Sequence, residues 1–178
     1  MVEVVVAKLG IDSASHSYIV ILREKEGSRL LPIWIGQAEA ESIVLQMQHV
    51  KRERPMTHDL CKSLIIGLGG TLRRVNITRV QKNTYFAELQ IARGETLAQV
   101  DARPSDSIAI ALRFGAPIFA DEALLTAVEA DDDEEAELDF GSGDPPLKRE
   151  PDPDELNAEQ LKAYLEQLRP EDFGKFNP

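Results

Sequence analysis

Apolar and polar positions alternate along the start of the chain and then change period. Residues 2–9, dominated by valine and closed by the turn-like run Gly10-Ile11-Asp12-Ser13, read as a β-strand. Residues 18–22 and 30–34 read as two more, connected through Lys25-Glu26-Gly27-Ser28, so the opening is a three-strand meander. Over 37–50 the apolar positions fall at Ala40, Ile43, Val44, Met47 and Val50, the stripe of an amphipathic helix. A second helix follows from His58, with Thr57 as its N-cap and Leu60, Cys61, Leu64, Ile65 and Leu68 on one side. Gly69-Gly70 stops it.

The grammar then repeats. Residues 71–80, 85–91 and 96–100 read as strands, broken by Gln81-Lys82-Asn83 and by Gly94, and 104–114 as a helix with Pro104 at its first position and Arg103 as N-cap. A short strand is expected at 118–120 and a short helix at 121–129. The expected fold class is α+β, a mixed β-sheet built from two three-strand-plus-helix segments, followed by a C-terminal acidic linker and a short helix. Three strands and a helix twice over hint at a duplication, although few residues match between the halves.

Beyond this body the pattern dissolves. Seven of the nine residues from Asp131 to Asp139 are acidic, and 141–153 is rich in Gly, Pro and charge, so 131–153 reads as a disordered linker unable to bury apolar area. Within 154–178, Asn157 and Gln160 match a capping box, Leu156 and Leu161 a hydrophobic staple, and Leu161, Tyr164, Leu165 and Leu168 an apolar face ended by Arg169-Pro170. A helix of this length is marginal alone in water, so docking on the body, a protein partner or a second copy in a homo-oligomer is expected.

Charge divides at the same place. The whole chain carries −11, but residues 1–120 hold 15 Lys+Arg against 12 Asp+Glu, a net of +3, and residues 121–178 hold 5 against 19, a net of −14. A mildly basic body can hold a phosphate locally, yet it lacks the broad basic face of a strong duplex binder, so nucleic-acid contact should be weak and salt-sensitive. The acidic tail could also cover that body and suppress binding. The one cysteine, Cys61, allows no internal disulfide and fits a reducing compartment; its place on an apolar helix face favours packing over catalysis. With no basic leader before the first apolar run and no membrane-length stretch, a cytoplasmic protein without membrane attachment is expected.

Two polar clusters, Arg54-Pro55-Met56-Thr57-His58-Asp59 and Asp101-Ala102-Arg103-Pro104-Ser105-Asp106, each stand just before a helix. A helix start presents unpaired N–H groups and partial positive charge, which makes an arginine beside it a ready phosphate seat. Arg54 and Arg103 are the candidate clamps, with Ser105 in the first turn as a further phosphate contact. His58, Asp59, Asp101 and Asp106 are the candidate catalytic groups. If Asp101 or Asp106 meets Glu39 and His58 in space, carboxylates plus one imidazole would suit Mg²⁺ or Mn²⁺, which polarises a phosphoryl oxygen and acidifies bound water.

Each residue also has a plainer reading. Asp59 could simply complement the helix dipole, Asp106 could cap its own helix, and Asp101 with Arg103 could form an ion pair. Arg113 sits in a last helical turn, where it complements the dipole. The other histidines, His16 and His49, lie outside any cluster. Gly67, Gly69 and Gly70 end a helix, so they do not form a nucleotide loop. Trp34 has few aromatic neighbours in sequence, which gives little support for a base-stacking platform.

The runs Leu31-Pro32-Ile33-Trp34-Ile35-Gly36 with Glu39-Ala40, Arg54-Pro55-Met56-Thr57-His58-Asp59-Leu60, and Asp101-Ala102-Arg103-Pro104-Ser105-Asp106-Ser107-Ile108-Ala109-Ile110-Ala111-Leu112-Arg113 resemble the bifunctional nuclease domain family over residues 1–128. The third run is the most specific. Met56 stands where the family often has leucine and Ser107 where alanine is usual. The resemblance implies an α+β domain, here bounded at 1–130, and nuclease action on RNA and DNA as in plant relatives. The expected function is a nuclease that hydrolyses phosphodiester bonds of RNA and/or DNA with metal assistance. The alternative is a noncatalytic regulatory or protein-interaction module on the same scaffold.

Overall fold

The computed structural model describes residues 1–12 and 17–127. In chain order the elements are β1 (Val2–Ile11), β2 (Tyr18–Glu24), β3 (Leu30–Ile35), α1 (Gln37–Met47), α2 (Thr57–Gly67), β4 (Thr71–Gln81), β5 (Thr84–Arg93), β6 (Thr96–Ala102), α3 (Pro104–Phe114) and β7 (Ile118–Ala120). The strands form one mixed seven-stranded sheet in the order β3-β2-β1-β7-β4-β5-β6. Two antiparallel meanders meet through β7, which runs antiparallel to β1 and parallel to β4. The fold is α+β, and the outer strand of each meander leads directly into a helix.

Period-two patterning explains which face is buried. Leu22 pairs with Leu31, and Val20 with Ile33 on one side and Leu9 on the other; all are buried. A bulge between Val6 and Lys8 resets the alternation, which is why Leu9 points inward like Val4 despite the odd spacing. In the second meander Val75 aligns with Leu89 and Ile118, and Ile77 with Ala87 and Ala120, to continue the same core. Lys82 and Asn83 both adopt positive φ (50° and 59°), as a two-residue turn matching strand twist requires.

Helix α3 is the central helix. Ser105, Ser107, Ile108, Ala109, Ile110, Ala111 and Arg113 are all buried, so it is enclosed more completely than a surface helix. Gly115 ends it at φ +64°.

Several boundaries differ from the pattern, each for a local reason. Helix α1 stops at Met47 because His49 turns left-handed (φ 56°) and the Val50 N–H bonds back to Leu45 O, leaving Met47 and Val50 exposed. Met56, not Thr57, is the N-cap of α2, and its N–H donates to Asp59 Oδ2 at 2.9 Å. On α2, Cys61 and Ile65 pack against the core, whereas Leu60, Leu64 and Leu68 form an exposed ridge, so the apolar stripe is wider than its contact. β6 runs on to Ala102, and of the helix expected at 121–129 the described residues, which end at 127, form a single 3-10 turn, Glu122–Leu124, capped by Asp121. The linker, the terminal helix and the boundaries at 130 and 153 lie outside the described residues. Among the described residues no helix is long and apolar enough to cross a membrane.

Candidate functional site

Three helix starts meet at one place. Arg103 is the N-cap of α3, directly after β6; Glu39 lies in the first turn of α1; and His58 is the second residue of α2. Their side chains form a continuous polar chain. His58 Nδ1 lies 2.8 Å from Ser42 Oγ and Nε2 lies 3.1 Å from Asp106 Oδ1. Asp106 accepts two bonds from Arg103, Nε to Oδ2 at 2.8 Å and Nη2 to Oδ1 at 3.1 Å. The same Nη2 reaches Glu39 Oε1 at 2.6 Å.

Burial is graded along this chain. His58 is 8 % exposed, whereas the Arg103 side chain is 67 % exposed and is the part that solvent or a ligand meets first. Burial pushes the Asp106 carboxyl up, but hydrogen bonds from Arg103 and His58, with their charges, outweigh it and hold the group below the ordinary carboxylate range. An ionised Asp106 accepts only, so His58 Nε2 carries the proton in that bond. The Arg103 guanidinium is correspondingly pushed up, first by its bond to Asp106 and then by Glu39.

Ser42, His58 and Asp106 share residue types with a nucleophilic triad. Ser42 is 1 % exposed, however, and its Oγ is engaged with the imidazole rather than open to solvent, unlike the accessible hydroxyl a nucleophile needs. The serine was not singled out from sequence, although its i+3 spacing from Glu39 places both on one helical face.

The remaining expected residues go elsewhere. Asp59 turns to the side chain of Arg113, whose Nε donates to Oδ1 at 2.6 Å. Arg113 is buried rather than a solvent-facing dipole partner, and its Nη1 also donates to Ser42 O and Ala109 O. Burial raises the Asp59 carboxyl, yet bonds from Arg113 and the Met56 N–H bring it below its usual value. Arg54 lines a separate cleft of about 380 Å³ with Asp59 and Arg113, so the two proposed clamps do not converge. Asp101 is exposed on β6, in register with Glu88, and forms no ion pair with Arg103. Ser105 is buried and lines a cleft with Arg103.

The donor set Glu39, His58, Asp101 and Asp106 is therefore not assembled. Glu39 and Asp106 grip Arg103, Asp101 stands apart, and among the described residues no group of three His, Cys, Asp or Glu is placed to hold a metal. A divalent ion does not fit this arrangement.

Comparison with known proteins agrees with the motifs. An uncharacterized protein of Mycobacterium tuberculosis is 41 % identical over 177 residues, covering 97 % of this chain and 98 % of that one. Bifunctional nuclease 2 of Arabidopsis thaliana is 32 % identical over 114 residues, 62 % of this chain and 35 % of its own length. Bifunctional nuclease 1 of Oryza sativa subsp. japonica is 30 % identical over 110 residues, 60 % of this chain and 33 % of its own. The aligned part is thus about a third of each plant protein. The bifunctional nuclease domain itself matches residues 20–133, a span that contains Glu39, Ser42, His58, Arg103 and Asp106, and this chain belongs to that domain family.

Proposed function

We propose that the chain is a nuclease that hydrolyses phosphodiester bonds of RNA and/or DNA. The observation that carries this reading is the bond from buried His58 to Asp106 beside the exposed guanidinium of Arg103. A phosphodiester that draws Arg103 away from Asp106 comes within reach of His58 Nε2. Water then attacks phosphorus, its proton passes to the Asp106 carboxylate, the P–O bond breaks, and His58 Nε2 gives its proton to the leaving oxygen. No step runs through a metal ion. A cytoplasmic setting fits the single cysteine.

Cleavage of single-stranded RNA and DNA by wild type and His58→Ala tests the reading. Loss of one acid–base group lowers kcat by about 10²- to 10⁴-fold. A folded His58→Ala protein with undiminished cleavage overturns it.

One observation favours a second reading, a noncatalytic interaction module. Leu60, Leu64 and Leu68 form an apolar ridge along α2, open to a protein partner or another copy of the chain. Wild type that cleaves neither nucleic acid but self-associates through this ridge, with Leu64→Glu abolishing association, would establish it.

A further inference from the structure

A cleft of about 360 Å³ opens beside Arg103, lined by Trp34 and Ile35 of β3, Asn83 of the β4–β5 turn, Tyr85 of β5, and Ser105 of α3. β3 and β5 are separated by four strands in the sheet, yet they line one cleft, so the sheet curls to bring them together. That volume reaches the lower end of small-ligand sites, about 300 Å³.

The lining has an unusual composition. Trp34 is the only tryptophan and is 52 % exposed, although an indole of this size normally buries most of its surface. Its Nε1 donates to Asp12 Oδ2 at 3.2 Å, which restrains the ring. Tyr85 adds a second aromatic ring, half-buried against the core. Asn83 carries an amide that can both donate and accept, as the edge of a base requires. Arg103 joins this cleft to the His58–Asp106 pair.

Aromatic rings, an amide and an arginine on a concave surface are the components that hold an unstacked base and its adjoining phosphate. We infer that this cleft is a nucleobase subsite for single-stranded nucleic acid, with the base against Trp34 and Tyr85 and the adjoining phosphate on Arg103. The inference rests on the reading of Arg103 as the phosphate contact. It also gives the substrate class: a duplex keeps its bases stacked and cannot fill the cleft.

The single tryptophan makes the test direct. The full chain is titrated with a short phosphorothioate oligodeoxynucleotide, single-stranded, while Trp34 emission is followed; an abasic chain of the same length and the matching duplex are titrated in parallel. Quenching by the base-bearing single strand, and little by the abasic chain or the duplex, is the expected result. No quenching, or equal quenching by all three, overturns the subsite. Labelled-oligonucleotide anisotropy should show Trp34→Ala binding about tenfold more weakly, one stacking contact, while Trp34→Phe retains most of the affinity. Equal affinity in Trp34→Ala and wild type also overturns it. Cleavage without quenching removes the subsite and leaves the nuclease reading, whereas quenching without cleavage does the reverse.

Discussion

Replacing Asp59 by asparagine separates structural from catalytic use of the first polar cluster, Arg54 to Asp59. The Arg113 side chain is 4 % exposed and its Nε donates to Asp59 Oδ1 at 2.6 Å; its remaining acceptors are the carbonyls of Ser42 and Ala109. Asparagine retains an oxygen that can accept from the Met56 N–H but leaves the buried guanidinium without a counter-charge. Breaking a fully buried pair costs about 3–5 kcal/mol. The Asp59 side chain is 38 % exposed, so solvent screening reduces the expected loss to about 2 kcal/mol, roughly 4–8 °C in Tm. The sign with pH follows from the depressed folded-state value of Asp59. Its contribution is complete above the unfolded value of about 3.9 and is lost as pH falls through the lower folded value. Urea unfolding of both proteins at pH 7 and at successively lower pH should show a gap of about 2 kcal/mol that closes below about pH 4. A gap of the same size throughout, or none at pH 7, would refute the reasoning. Cleavage by Asp59→Asn should stay within about tenfold of wild type, since Asp59 makes no hydrogen bond with His58, Asp106 or Arg103; abolished cleavage with full stability would return Asp59 to the chemistry.

Ser42→Ala should lower kcat by less than about tenfold, the worth of one neutral hydrogen bond, because Ser42 positions His58 and is not attacked; single-turnover cleavage showing complete loss would contradict this. Arg103→Ala releases Glu39 and Asp106 together, so calorimetric titration should show Mn²⁺ binding more tightly to the variant than to wild type, and equal binding would locate any ion elsewhere. Gly115→Ala meets no atom within 4 Å, so thermal unfolding should report only the left-handed backbone cost, about 1 kcal/mol; a markedly larger loss would expose a packing role for this turn.

Much of the scaffold was legible locally. Strand positions follow from the two-residue period of valine, isoleucine and leucine, and α3 from Arg103-Pro104 at one end and Gly115 at the other, features readable within a few residues. The departures came where a distant partner decided the outcome. The stripe on α2 did not reveal that Leu60, Leu64 and Leu68 would face solvent, because amphipathicity records an apolar surface and not what covers it. Arg113 has the sequence position of a dipole partner, and only the approach of α1 and α2 makes it a buried ion-pair member.

The amino-acid order by itself determined the two meanders, the three helices, the family motifs and the residue types able to handle a phosphate, because periodicity, caps and turns act over a few residues. Tertiary structure decided which of those residues meet. It brought Glu39, Ser42, His58, Arg103 and Asp106 into one chain of contacts, sent Asp59 and Arg54 to another cleft, left Asp101 exposed on β6, and put Trp34 and Tyr85 on the lining of one cleft. Those encounters depend on strand order and sheet curl, which arise from packing the whole core and leave no trace in the spacing of any one segment.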